Sequence, residues 1–96
     1  MKMIQLNYCK AHWDKDWQQL MVDKKDQSTL INLDLIATVS PEAVQGRAVD
    51  KSGTAIINLH YVRTTVPYSC GINGTDYYSY YVTEGTYKKI CLETLS

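Results

Sequence analysis

Apolar and polar positions alternate at the start of the chain: Ile4, Leu6 and Tyr8 are separated by Gln5 and Asn7. A period of two predicts a strand with one buried face. The period then changes. Trp13, Trp17, Leu20 and Met21 fall at i, i+4, i+7 and i+8, which is one face of a helix, and Asp14, Lys15, Gln18, Gln19 and Asp23 cover the other side. Asp14 and Asp16 suit the positive pole of a helix, and Lys24 and Lys25 suit its negative pole. The spacing predicts a helix over about residues 10–24 that packs on a sheet through its two tryptophans.

From Thr29 onward the β signal dominates. Ile31, Leu33, Leu35, Ala37 and Val39 share one face of a strand that Ser40-Pro41 ends. Residues 44–49 read as a short strand or a turn of helix, and Asp50-Lys51-Ser52-Gly53 reads as a turn. Residues 54–66 form the longest β segment. Ala55, Ile57, Leu59 and Tyr61 lie on one face, with Ile56, Asn58, His60 and Val62 on the other. Two apolar faces predict a central strand, stopped by Pro67. Asn73-Gly74 predicts a hairpin turn between strands at 68–72 and 75–83. Glu84-Gly85 predicts a further turn into a last strand at 87–95.

The whole predicts one domain over residues 1–96, of α+β class: an antiparallel meander of four to six strands with one amphipathic helix packed on one face. A small barrel with the helix plugging one end is the alternative arrangement. The apolar set is 45% of the chain, enough for a single core. Ten basic residues balance ten acidic ones, so no net field draws the chain to nucleic acid or an anionic membrane. No apolar run is long enough to span a bilayer, and the first residues are too polar for an export signal. Three cysteines cannot all pair within one chain, which points to reduced thiols and a cytoplasmic location.

Candidate chemistry is sparse. Cys9-x-x-His12 has the spacing of a metal-ligand pair, and His60, Cys70 and Cys91 could complete a four-ligand set, but structural zinc usually shows two tight pairs and only one is present here. Cys70 could meet His12 or His60 as a nucleophile and base, yet nothing nearby marks an oxyanion hole. Asp14 and Asp16, two apart, would not face each other on a helix. The glycines form no phosphate loop. The sequence therefore predicts no enzymatic activity and no cofactor.

Eight tyrosines, two tryptophans and no phenylalanine make a skewed aromatic set, and residues 52–83 carry only Arg63 and Asp76 as charges. Tyr77 and Tyr81 share one face of a strand, and Tyr78 and Tyr80 share the other. One pair is expected in the core and the other on the surface. Exposed tyrosine on a charge-poor strand is typical of a protein interface. The expected function is a small non-enzymatic protein-binding module, an adaptor or inhibitor of the sort phages and mobile elements encode. Its interface is assigned to Tyr77, Tyr78, Tyr80, Tyr81 and Arg63. A homodimer is expected, because a neutral strand at a sheet edge calls for a partner. Two alternatives are carried: single-stranded nucleic acid stacked on the same tyrosines, and a zinc-stabilised domain on Cys9 and His12.

Overall fold

A computed structural model describes residues 2–70 and 74–95, with the backbone alone for Ser69, Cys70 and Leu95. The elements are β1 (Met3–Asp14), β2 (Gln19–Asn32), a 3-10 turn (Leu33–Leu35), β3 (Ile36–Val39), β4 (Val44–Asp50), β5 (Gly53–Cys70), β6 (Gly74–Thr83) and α1 (Glu84–Leu95). The α+β class holds: six strands form one meander-like sheet and one helix packs on it. One pairing is parallel, Leu20–Met21 of β2 beside Gly46–Arg47 of β4. Because β5 pairs with both β4 and β6, the ladder β1-β2-β4-β5-β6 also returns to β1 and closes a ring.

The helix lies at the other end of the chain from its predicted place. Residues 10–24 form the outer half of the β1–β2 hairpin, where Trp13 stands opposite Leu20 and His12 opposite Met21. The Asp14 carboxylate decides the turn by accepting the N–H groups of Asp16 (2.9 Å) and Trp17 (3.2 Å). Gln18 then closes it at φ 49°. The tryptophans cover no sheet face: Trp13 is 58% exposed and Trp17 is 72% exposed.

The predicted last strand, 87–95, and the Glu84-Gly85 turn before it are instead α1. The Thr83 hydroxyl accepts the N–H of Thr86 (3.4 Å), as an N-cap does, and Glu84 sits in the first turn. The buried side is Thr86, Tyr87 and Ile90, at helical spacing, while Leu92 points outward at 70% exposure.

Two further boundaries differ. The strand expected over 31–39 is broken by the 3-10 turn, because the Asn32 side chain caps it at Asp34 N–H (3.0 Å). Pro67 does not stop β5. Thr64, Thr65 and Val66 bulge opposite Tyr78, and the Thr64 hydroxyl replaces ladder bonds by donating to the Tyr78 carbonyl (2.7 Å) and accepting from Val66 N–H (3.2 Å). Proline is tolerated beside such a bulge because its missing donor interrupts no ladder. The tip of the Asn73-Gly74 hairpin lies outside the described residues.

Two apolar clusters lie on opposite faces of the crossing of β1, β5 and β6. Ile4, Leu6, Ile31, Val62, Val82 and Ile90 form one, with Tyr8 and Tyr80 against it. Cys9, Leu20 and Leu59 form the other, with Val22, Ile57 and Tyr81 against it. Neighbours along a strand face opposite ways, so Tyr8/Cys9 and Tyr81/Val82 feed one residue to each cluster. A bulge in β2, with Lys25 and Asp26 opposite Cys9 and Asp26 at φ 59°, lets the β1–β2 hairpin change its buried face at this point.

The β4–β5 turn carries a pH-sensitive contact. The Ser52 hydroxyl (2.6 Å), the Lys25 ammonium (3.1 Å) and the Ser52 N–H (2.9 Å) hold the Asp50 carboxyl down at about 2, against an ordinary 3.8. Its contribution to the fold is complete above the ordinary value and is lost as pH falls toward the lower one. In Ser52→Ala, NMR titration should place the Asp50 carboxyl back toward its ordinary value. An unmoved titration would remove the serine from this account.

Candidate interaction surface

The four β6 tyrosines sort along the strand rather than across it. Tyr80 meets Tyr8 edge-on at 4.9 Å on the helix-side cluster, and Tyr81 packs on Tyr61 at 5.2 Å on the other. Burial, then the neighbouring phenols, pushes both hydroxyls' pKa up. Tyr77 and Tyr78 lie past the crossing, where neither cluster reaches, and are 42% and 47% exposed. The exposed pair is thus one residue from each face. This corrects the expectation of a single exposed face.

Each exposed tyrosine opens onto a different surface. On one side Arg63 stands in register with Thr38 of β3 and Ser79 of β6, and lines a cavity of about 420 Å³ with Thr65 and Tyr77. Arg63 belongs to none of the three ion pairs found among the described residues: Lys2–Glu93, His12–Asp23 and Lys25–Asp50. On the other side Tyr78, Met3, Leu30, Leu35 and Val66 line an apolar groove of about 470 Å³, in which Met3 and Leu30 are largely exposed. Tyr68 closes against Tyr78 at 4.9 Å.

Between these surfaces runs an open strand edge. β6 pairs with β1 only through Tyr8↔Val82 and Cys9↔Tyr81. The strands then part around a cleft of about 500 Å³ bordered by Lys10, Ala11, Asp23 and Ser79. The Tyr78 carbonyl faces β5, since it accepts the Thr64 hydroxyl. Main-chain groups alternate in direction along a strand, so those of Tyr77 and Ser79 point away from β5. The Tyr77 N–H accordingly meets the Asp76 carboxylate (2.8 Å) rather than a neighbouring strand.

A second exposed aromatic site escaped the sequence reading. Trp17, Met21, Val49, Asp14 and Arg47 line a hollow of about 230 Å³ beside the tips of the β1–β2 and β4–β5 hairpins. The Asp14 turn fixes Trp17 in place. That Asp-x-Asp-Trp turn signal was present in the sequence but was outweighed by the helical spacing.

The remaining candidates are dispersed. Cys9 is buried with Leu20 and Leu59, and burial pushes its thiol pKa up, which disfavours the thiolate. His12 lies on the opposite face of β1, bonded to Asp23 at 2.8 Å. Cys9 and His12 therefore do not share a metal site, and no cluster of three or more metal-ligating side chains occurs among the described residues. His60 is buried under Tyr87, with rings stacked at 3.9 Å, and its Nδ1–H donates to the Ser40 carbonyl (3.0 Å). Its Nε2 is buried without a hydrogen-bond partner. The Cys70 side chain lies outside the described residues. No described helix is long and apolar enough to cross a membrane. Comparison with protein-family models, curated proteins and solved structures finds no match to this chain.

Proposed function

We propose that this chain is a non-enzymatic protein-binding module, an adaptor or inhibitor acting in the cytoplasm, and that its binding surface is the outer end of β6. One observation carries the reading: Tyr77 and Tyr78 stand exposed on the two faces of a strand whose outer edge is unpaired. Large aromatic side chains supply much of the energy of protein interfaces, and an open edge offers main-chain hydrogen bonds to an added strand. The unpaired Arg63 beside Tyr77 adds a polar rim to the same surface. The inhibitor role and a phage or mobile-element origin extend this reading from the size and neutrality of the chain.

Base stacking on the tyrosines is the competing use. It requires a cationic groove along the backbone path, whereas only Arg63 and Lys10 are cations among the residues lining the two tyrosine surfaces and the cleft between them, and Asp23 lies beside Lys10 in that cleft. A gel-shift series with short single-stranded DNA and RNA at two salt concentrations tests the choice. No retention is expected at either salt. Retention that weakens steeply with salt, the sign of counterion release, would overturn the protein-binding reading.

A further inference from the structure

We infer that the cavity beside Arg63 takes a carboxylate, and that the protein partner presents it as an aspartate or glutamate side chain. This rests on the binding reading above and names what the partner brings. Arg63 is the only lysine or arginine between residues 52 and 83, and it is exposed. Thr38 of β3 stands in register on one side of it and Ser79 of β6 on the other.

The donors lining the cavity are not all free. The Thr64 hydroxyl is spent on the Tyr78 carbonyl (2.7 Å) and the Thr65 hydroxyl on the Leu35 carbonyl (3.3 Å). The Arg63 guanidinium and the hydroxyls of Thr38 and Tyr77 line the same cavity and make no side-chain hydrogen bond or ion pair among the described residues. A guanidinium offers five N–H donors in a fixed fork, and a hydroxyl turns to suit its partner. No carboxylate is among the lining residues. Asp34, just before β3, pairs with no cation, and the Asp76 carboxylate is engaged by the Tyr77 N–H (2.8 Å). The charge on Arg63 is thus left for a ligand to neutralise.

Charge count chooses the anion. The guanidinium fork matches carboxylate and phosphate alike. Phosphorylated motifs are recognised by clusters of arginines, and a single cation lines this cavity. One positive charge neutralises one carboxylate and leaves a phosphate dianion half-paired. The volume of about 420 Å³ accepts an acidic side chain, and Ala37 gives its methylenes an apolar wall. Tyr77 lines the cavity and belongs to the exposed end of β6, so one segment of a partner can engage both.

NMR titration of the full chain tests this, with three capped tripeptides of alanine whose central residue is glutamate, glutamine or phosphoserine. The Arg63 Nε–H and the main-chain N–H groups of Thr38, Thr65 and Tyr77 report on the cavity. The glutamate peptide is expected to shift them saturably and to bind about tenfold tighter than the glutamine peptide, the difference made by a charge-assisted pair. Arg63→Gln should abolish that difference. Arg63 is exposed, and circular dichroism checks that the variant folds like the parent. The comparison of glutamate with glutamine on the parent stands without the variant. Equal responses to the two peptides, including none to either, overturn the inference, as does a preference that survives in Arg63→Gln or moves other resonances instead. Tighter binding of the phosphoserine peptide assigns the cavity to phosphate and also overturns it. The binding reading is scored separately, by Tyr77→Lys/Tyr78→Lys. Loss of binding to another protein in that variant would uphold the β6 surface even if no peptide binds at Arg63.

Discussion

Replacing Ile90 with alanine is expected to destabilise the protein by about 2–5 kcal/mol, the range for truncating a fully buried aliphatic side chain. Ile90 is 1% exposed and is the helix's contribution to the cluster of Ile4, Leu6, Val62 and Val82. It belongs to the element that brings Tyr87 over His60 and Thr86 to Asn7 N–H (3.1 Å). Loosening α1 therefore uncovers a buried histidine and a main-chain donor as well as a cavity. Leu92→Ala removes the same kind of side chain from a 70% exposed position and should stay within about 0.5 kcal/mol of the parent. Urea melts of the two variants decide between helix and strand here. A last strand would bury Ile90 and Leu92 on one face and make their costs similar.

The second large effect is at Leu59, 0% exposed in the other cluster. Leu59→Ala is expected to cost about 2–5 kcal/mol. Diagonally across the β4–β5 pairing lies Gly46, which stands opposite Ile57 and has no room for a side chain. A Cβ there would lie 2.9 Å from Val22 Cγ2 and 3.0 Å from Leu59 Cδ1. Gly46→Ala alone should cost about 1–3 kcal/mol by overpacking. Combined with Leu59→Ala, it places its methyl beside the space left by the missing leucine carbons. The double variant should be more stable than the sum of the single costs by roughly 0.5–1 kcal/mol or more, a coupling expected only between residues in contact. Strict additivity in a denaturant cycle would mean that Leu59 does not set the lack of room at Gly46.

The elements legible in the sequence were those whose pattern had one physical reading. β5 was visible because Ile57 and Leu59 on one face, and His60 and Val62 on the other, require cover on both sides. The cover comes from the two clusters. The β1–β2 hairpin was misread because a four-residue turn reproduces helical spacing: Trp13 and Leu20 are seven apart in sequence and opposite each other in the ladder. Local chemistry at Asp14 settles the choice through two backbone bonds that periodicity does not register. At the other end, the alternation Lys88-Ile90-Leu92 outweighed a threonine cap followed by residues at helical spacing.

The tyrosine strand was recognisable as a candidate surface from composition. Which tyrosines face solvent depends on where β6 leaves β1, and no local pattern carries that long-range contact. The tryptophan hollow was missed for a simpler reason: large apolar side chains are usually buried, and Trp13 and Trp17 are not.

The closure of the ring also bears on how the chain is made. Leu6 shares its cluster with Val82 and Ile90, and Lys2 is paired with Glu93 at 2.6 Å. During synthesis at roughly 5–20 residues per second, Leu6 waits roughly 4–15 s before Val82 has even been added. Through that interval the β1–β2 hairpin can form and Leu59 can cover Cys9 and Leu20, but the cluster around Leu6 lacks Val82 and Ile90. Completion of that cluster is thus deferred until residues 82–90 have left the ribosome, and until then the apolar side chains of Ile4 and Leu6 are only partly covered.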